Sequence, residues 1–299
     1  SRDIDRQDYP HYFLKEISEA PVSIEKTLIN RWKIDNKDKE KYIINLNEKE
    51  LPDKLINLFK NNKIKKIYFI GQGTAGIAAT VCSDILNYYL NKPCFQILSA
   101  RASEFSGFIL NESDHSNIME DTLVIAISQS GTTTDTNRAV DMVKKKGAHT
   151  LAIVNRRDSD ITFKVDGVIY TSNGRDIEMS VASTKAFYSQ IIAGAVLGLN
   201  IVATTGYRTD YFITQEIRQL LKIPDIMRKI LFKKKEIEKS AKKTAGRKMH
   251  WAAVGSGPNK ASADEIRIKL SELCYKTISS DYVEDKKHID LSSEPLIIV

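Results

Sequence analysis

The sequence predicts an α/β protein with a doubly wound parallel sheet, followed by the start of a second similar domain. Short apolar, β-favouring runs alternate with helical patterns, and small polar residues end most of them. Strands separated by helices are typical of a parallel sheet with helices on both faces. A strand, a glycine-rich turn and a helix also follow one another twice, from near residue 64 and from near residue 250, which indicates an internal repeat. The predicted strands of the first domain are residues 64–70, 94–98, 122–127, 150–154 and 168–170.

The elements before and after this sheet are predicted from helical spacing. Residues 11–32 form an amphipathic pattern interrupted by Pro21, residues 35–50 are a polar loop or short extended segment, and a helix begins at Lys54. Residues 182–204 form an apolar core helix, and residues 216–242 are charged helices. The predicted organisation is a helical N-terminal arm (1–45), a first domain (46–205), a helical connector (206–247) and a partial second domain (248–299).

Composition and charge restrict the class of ligand. The 299 residues are 42% apolar and 28% charged, as in globular proteins. The net charge of +7 is spread over short lysine runs such as 233–235 and 242–243, which are typical of solvated helix faces. No stretch interleaves aromatic and basic residues as nucleic-acid binders do, so we expect no nucleic acid as partner. An anionic small molecule fits the sign of the charge.

Cysteine usage and the N-terminus predict a cytoplasmic protein. Cys82, Cys94 and Cys274 form no CxxC pair and leave an odd count, which argues against a disulfide framework or a zinc site. The charged N-terminus has no apolar signal core, and no membrane span is predicted. Because the chain begins with Ser1 rather than Met, we expect it to be a processed or excised part of a longer protein.

The segment 128–133 is the main candidate for a binding loop. It follows the most apolar predicted strand and precedes a helix, where backbone N–H groups and the positive end of a helix dipole attract anions. Several neutral donors converging on one point suit a phosphate, although an ordinary Ser/Thr turn with a helix cap would have a similar composition. The segment offers the hydroxyls of Ser128, Ser130, Thr132 and Thr133, the amide of Gln129, and Gly131, where the backbone can approach an oxyanion.

Two further segments carry weaker signals. Residues 71–76 contain a GxGxxG string after a strand, but no acidic residue closes the next strand, so a nicotinamide cofactor is disfavoured and a tight turn against a sugar is favoured. Residues 178–185 gather small hydroxyl side chains before a long apolar helix. They are equally compatible with a helix cap and with ligand contact.

A set of charged residues in the second domain could move a proton. Glu265, Lys269 and Glu272 share one helix face at positions i, i+4 and i+7. They fit a solvated salt-bridge ladder, or a carboxylate and an ammonium that flank a sugar, with Glu272 moving a proton between adjacent carbons. His288 lies in a polar segment where most histidines are merely exposed. The sequence offers no metal-ligand cluster, and we expect neither a metal nor a cofactor.

Taken in order, these segments resemble the isomerase half of glutamine–fructose-6-phosphate aminotransferase, which has two sugar-isomerase (SIS) domains of flavodoxin-like fold. The resemblance is carried by residues 9–17, 102–105, 128–133 and 181–187. It implies that Glu272 shuttles a proton between C1 and C2 with Lys269 nearby. It also implies that His288 assists ring opening in the site of a partner subunit of a homodimer. The implied substrate-binding residues are Thr74, Ser128, Gln129, Ser130, Thr133, Val181, Ser183 and Glu178.

The resemblance implies a sugar-phosphate isomerase module that converts fructose 6-phosphate and ammonia to glucosamine 6-phosphate. The chain departs from the family at Ala75, where a phosphate-binding serine is expected, and at Ile266, where a glycine is expected. It also lacks the family's glutaminase domain and C-terminal tail, so ammonia would have to come from elsewhere. Two alternatives stay open. One is an amino-sugar-phosphate deaminase or deglycase, and the other is a non-catalytic regulator that binds sugar phosphates, although no helix-turn-helix precedes the sheet.

Overall fold

The structure is a computed structural model and describes residues 4–90, 95–110, 118–288 and 295–299. The chain divides into two compact units, Ser1–Pro224 and Asp225–Val299. Cys94, the first residue of the predicted strand 94–98, lies outside the described residues.

The first unit opens with an arm and continues into alternating strands and helices. The arm comprises α1 (Tyr12–Leu28), β1 (Trp32–Ile34), β2 (Tyr42–Ile44) and α2 (Asp53–Lys60). The alternating part comprises β3 (Lys66–Gly71), α3 (Thr74–Leu90), β4 (Gln96–Arg101), α4 (Ala102–Glu104) with a π-helical turn (Phe105–Ile109), β5 (Thr122–Ser128), α5 (Thr134–Lys145), β6 (His149–Val154), β7 (Gly167–Tyr170) and α6 (Lys185–Thr205). Two 3₁₀ turns, Asp160–Phe163 and Thr171–Gly174, flank β7, and α7 (Asp210–Phe232) follows.

The central sheet has five parallel strands in the order β4-β3-β5-β6-β7. This is a doubly wound order: β4 lies on one side of β3, and β5, β6 and β7 follow one another on the other side. The prediction of a doubly wound parallel sheet is therefore confirmed. Residues 123–127 of β5 are fully buried, so the strand before the predicted binding loop forms the centre of the core.

A long apolar helix packs against this sheet layer. α6 is long and apolar enough to cross a membrane, the one such helix in the part of the chain that is described, but 78% of its most apolar window is buried within the protein. It contacts α3 closely at Gly194, where an added Cβ would lie 2.2 Å from the sulfur of Cys82. Most of its apolar surface thus belongs to the core of the first unit.

The N-terminal arm differs from the sequence prediction in two ways. The helix ends at Leu28 rather than near residue 32, and Asn30 then adopts a left-handed backbone with φ of +63°. β2, within the stretch 35–50 that was predicted as a loop or short extended segment, pairs with β1 as an antiparallel hairpin, and the rings of Trp32 and Tyr42 stack 5.3 Å apart. Strands of three residues around a polar connection give too short a pattern to predict. Pro21 lies inside α1, which continues through it.

The second unit repeats the start of the first. It contains α8 (Lys234–Thr244), β8 (Trp251–Gly255), α9 (Pro258–Cys274), β9 (Ile278–Tyr282), a 3₁₀ helix (Glu284–His288) and β10 (Leu296–Ile298). Its parallel strands lie in the order β10-β8-β9, which matches β5-β3-β4.

The two strand-to-helix turns agree in detail. An added Cβ would lie 2.5 Å from the carbonyl oxygen four residues later at Gly71, and 2.1 Å from the corresponding oxygen at Gly255. Gly73 and Gly257, two residues further on, have φ of +57° and +53°. The second unit thus starts as a second copy of the first. β9 was not predicted, because its Ser279, Ser280 and Asp281 interrupt the apolar pattern.

Candidate functional site

The predicted binding loop lies at the carboxyl end of β5, beside the turn that follows β3. Three of its backbone carbonyl groups are bonded to the scaffold. Gln129 and Gly131 accept hydrogen bonds from the backbone N–H groups of Arg156 (3.2 Å) and Ile161 (3.1 Å). The amide nitrogen of Asn137 donates to the carbonyl oxygens of Gly131 and Thr133, both at 3.1 Å. With these three carbonyl oxygens held in this way, the loop can offer N–H and O–H groups to a ligand.

The donors of the loop form a compact neutral set. The hydroxyl oxygen of Ser128 accepts from the N–H of Gly131 at 3.0 Å and lies 3.5 Å from the hydroxyl of Thr133. That of Ser130 accepts from the N–H of Thr132 at 3.2 Å. Among the described residues, the backbone N–H groups of Ser130 and Thr133 have no hydrogen-bond partner, and Thr133 is the N-cap of α5. Unpaired N–H groups and hydroxyls at a helix N-terminus form a receptor for an oxyanion.

Gly131 fixes the shape of this loop. Its φ is +68°, and an added Cβ would lie 2.0 Å from the hydroxyl oxygen of Ser159, which is buried and donates to the carbonyl of Arg156 at 2.8 Å. We expect Gly131→Ala to lower the free energy of unfolding by about 2–4 kcal/mol, because it adds left-handed strain and a clash. Denaturant unfolding measures this, with Gly107→Ala as control, since a Cβ there meets nothing within 4 Å. Equal effects of the two substitutions would contradict the prediction.

The turn after β3 completes this edge of the sheet. Thr74 begins α3, and the left-handed Gly73 precedes it. The guanidinium of Arg101 donates to the carbonyl of Gly73 at 3.0 Å and occupies the space that Gly76 leaves by lacking a side chain. Arg101, at the end of β4, therefore adds positive charge beside the turn. Arg101 was not among the predicted site residues, although its place at a strand end was a usable signal.

The segment 178–184 is held by the N-terminus of α6. One carboxylate oxygen of Glu178 accepts from the N–H groups of Thr184 (2.7 Å) and Ala186 (2.9 Å), and the other accepts from the hydroxyl of Ser183 at 3.0 Å. Glu178 thus caps α6, the helix-cap interpretation that the sequence left open. Val181 is 95% exposed, and its side chain is available to a ligand.

Two buried lysines meet one carboxylate beside this segment. The ammonium groups of Lys15 and Lys185 lie 3.0 and 2.7 Å from the carboxylate oxygens of Glu19. Burial by itself raises the pKa of Glu19, but the ammonium groups of Lys185 and Lys15 outweigh it and hold the pKa below its ordinary value. The pKa of Glu19 is therefore lower in the folded state than in the unfolded state, so its carboxylate stabilises the fold at pH values above the unfolded-state pKa. This contribution is lost as the pH falls through the folded-state pKa.

We therefore expect Glu19→Gln to destabilise the protein by about 2 kcal/mol at pH 7, the size of hydrogen bonds to charged groups. The difference from the wild type should shrink as the pH falls from 5 to 3. Urea unfolding at several pH values measures both, and a difference independent of pH would contradict the assignment.

In the second unit, the predicted proton-transfer residues form one cluster. The ammonium of Lys269 lies 3.3 Å from a carboxylate oxygen of Glu265 and 3.3 Å from one of Glu272. Glu272 is 41% exposed, so a ligand could reach it. His288 ends the 3₁₀ helix Glu284–His288, and its side chain lies outside the described residues. Among the described residues, no group of three or more His, Cys, Asp or Glu side chains could hold a metal.

A recess of about 620 Å³ elsewhere in the first unit contains none of the predicted site residues. It lies between the β1–β2 connection and α7. Its charges pair with one another, Lys41 with Asp210 at 2.6 Å and Arg218 with Glu40 at 2.8 Å. This mutual neutralisation makes it a poor receptor for a charged ligand, and we assign it no function.

Comparisons with known proteins agree with the fold. Residues 62–199 match the model of the SIS domain family. Over 269 residues the chain is 32% identical to glutamine–fructose-6-phosphate aminotransferase [isomerizing] of Caldanaerobacter subterraneus subsp. tengcongensis, with 89% of this chain and 40% of that protein covered. The enzyme of the same name from Fusobacterium nucleatum subsp. nucleatum is 34% identical over 267 residues, with the same coverage. The chain thus spans about 40% of the length of these relatives.

A solved structure extends this similarity. The C-terminal domain of glucosamine-fructose-6-phosphate aminotransferase from Francisella tularensis superposes with a TM-score of 0.82 at 25% identity. The superposition covers 98% of this chain and 76% of that one. The likeness therefore includes the second unit as well as the residues that the family model matches.

Proposed function

Because this chain contains a SIS domain and is homologous to the isomerase half of glutamine–fructose-6-phosphate aminotransferase, we propose that it is the sugar-phosphate isomerase module of such an enzyme. In this role it converts fructose 6-phosphate and ammonia to glucosamine 6-phosphate and water. A glutaminase domain outside this sequence supplies the ammonia, and the module works as a cytoplasmic homodimer without a cofactor.

The observation that carries the proposal is the loop 128–133. The bound carbonyl groups, the hydroxyls of Ser128, Ser130 and Thr133, and the unpaired N–H groups of Ser130 and Thr133 suit a phosphate monoester. Thr74 and the side-chain amide of Gln129 contribute further donors. The loop offers no carboxylate of its own, although Asp135 lies in the first turn of α5.

The second unit supplies the proton transfer. Ammonia adds to C2 of the open-chain ketose, and loss of water leaves a C2 imine. Glu272 then removes a proton from C1 and returns it to C2, while the proton of the C1 hydroxyl passes to the imine nitrogen, which gives the amino aldose. Lys269, whose ammonium lies 3.3 Å from Glu272, stabilises negative charge that develops during the transfer. His288 assists ring opening, and Val181 and Ser183 contact the sugar chain.

Turnover assays distinguish this function from its alternatives. The protein is incubated with fructose 6-phosphate, with and without ammonium, and glucose 6-phosphate and glucosamine 6-phosphate are quantified. Formation of glucose 6-phosphate, or of glucosamine 6-phosphate faster than the protein deaminates it, supports the isomerase. Ammonia release from glucosamine 6-phosphate as the main reaction would favour a deaminase. Tight binding of fructose 6-phosphate with no turnover of either sugar would favour a regulatory protein and overturn the proposal.

A further inference from the structure

We infer that Glu16, on the N-terminal helix α1, is a positioning residue for the sugar-binding segment 178–184, which we call the sugar loop. This inference rests on the proposed function, because Val181 and Ser183 of the sugar loop contact the sugar there. Glu16 touches no substrate. It acts by fixing the backbone that presents these two residues.

The contacts of Glu16 reach across the fold to this loop. Its side chain is 1% exposed, and one carboxylate oxygen accepts from the backbone N–H groups of Met179 and of Ser180 (3.0 Å). The other oxygen contacts the hydroxyls of Ser180 and of Thr184 (3.0 Å). All four partners lie within the sugar loop, so a residue of the arm binds both the backbone and the side chains of a segment more than 160 positions later.

A second carboxylate holds the same loop from the side of α6. Glu178 accepts from the N–H groups of Thr184 and Ala186, and its oxygen lies 3.0 Å from the hydroxyl of Thr184, which also contacts Glu16. The sugar loop is therefore held between two carboxylates that meet at Thr184. Val181 lies between these anchor points and is 95% exposed, so its side chain can meet a ligand.

This arrangement also fixes the polarity of Ser183. Its hydroxyl proton is donated to Glu178 at 3.0 Å, so its oxygen can only accept a further hydrogen bond. Toward a ligand, Ser183 therefore recognises a donor, such as a sugar hydroxyl or an amine. A phosphate oxygen, which is an acceptor, is not recognised there. The sugar loop thus favours the hydroxylated end of the substrate, and the loop 128–133 favours the phosphate.

Packing alone does not explain a carboxylate at position 16. α1 packs against α6, and an apolar residue would bury the same surface without the cost of desolvating a charge. Unlike an apolar side chain, the carboxylate accepts hydrogen bonds from two backbone N–H groups, and these bonds hold the loop's conformation. The neighbouring Glu19 binds the ammonium groups of Lys15 and Lys185, so these three residues form a separate connection between α1 and α6.

Isothermal titration calorimetry on three forms of the full chain tests the role of Glu16. The forms are the wild type, Glu16→Gln, and Glu25→Gln as a control with the same charge change on the same helix. Each is titrated with fructose 6-phosphate and with inorganic phosphate, at a temperature where circular dichroism shows it folded. We expect Glu16→Gln to weaken fructose 6-phosphate binding about tenfold and to leave phosphate binding unchanged. The control should alter neither.

Two outcomes would overturn the inference. One is unchanged fructose 6-phosphate binding in Glu16→Gln, and the other is an equal loss for both ligands, as general destabilisation would cause. Hydrogen–deuterium exchange tests the same idea without a ligand. Glu16→Gln should speed exchange in a peptide covering the sugar loop at least tenfold and leave a peptide covering 128–133 unchanged, whereas no difference would refute the role. If the wild type binds neither ligand, the proposed function fails, and the exchange experiment still decides the role of Glu16.

Discussion

Glu272→Gln should lower the rate of fructose 6-phosphate isomerisation by about 100- to 10,000-fold, the usual effect of removing a general base. The amide keeps the size of the side chain and a contact with Lys269, whose ammonium is also 3.3 Å from Glu265. Substrate affinity should therefore change little. A coupled assay for glucose 6-phosphate measures the rate, and calorimetry measures the affinity.

A matched control separates proton transfer from loss of charge. Glu236→Gln removes a carboxylate from α8, a helix with no buried residue, and should leave the rate unchanged. A rate for Glu272→Gln within a fewfold of the wild type would contradict the assignment of Glu272 as the base. It would leave the sugar-phosphate loop untested, since that loop belongs to the other unit.

The second large effect is expected in binding. Replacing Ser130 and Thr133 together by alanine removes two hydroxyls that face the predicted phosphate position, each worth about 1.5–3 kcal/mol as a hydrogen bond to a charged group. We expect the dissociation constant for fructose 6-phosphate to rise at least about a hundredfold. The fold should be retained, because neither residue is buried in the core.

The paired control is Thr204→Ala with Ser240→Ala, which also deletes two hydroxyls but lies at the end of α6 and on α8. Calorimetry should give wild-type affinity for this pair. Equal affinities of the two double variants for fructose 6-phosphate would show that the loop hydroxyls are not ligands.

The central fold was predictable because the apolar runs and the small polar residues that follow them indicate the same architecture. Residues 123–127 are apolar without interruption and become the fully buried strand, and the small polar residues after them lie at the edge where doubly wound sheets bind ligands. The position of the loop 128–133 at this edge could be predicted for the same reason. Its carbonyl anchors could not, because Asn137 looks like any polar residue in the first turn of a helix until its two acceptors are seen.

Other features depend on contacts that are distant in sequence. Glu16 has the spacing of an ordinary helical residue, and its partners Met179 and Ser180 are far along the chain. Nothing local distinguishes it from a solvated glutamate. Glu178 was predicted as a substrate ligand, yet the structure shows both of its oxygens engaged by the N-terminus of α6. Its role in binding, as for the other site residues, stays a prediction.

The most direct test of the central claim is the titration of the wild-type chain with fructose 6-phosphate, inorganic phosphate and fructose. If the loop 128–133 is a phosphate receptor, fructose 6-phosphate binds, inorganic phosphate competes with it, and fructose gives no detectable heat. Binding of fructose as tightly as of its phosphate, or no binding of fructose 6-phosphate, would contradict it.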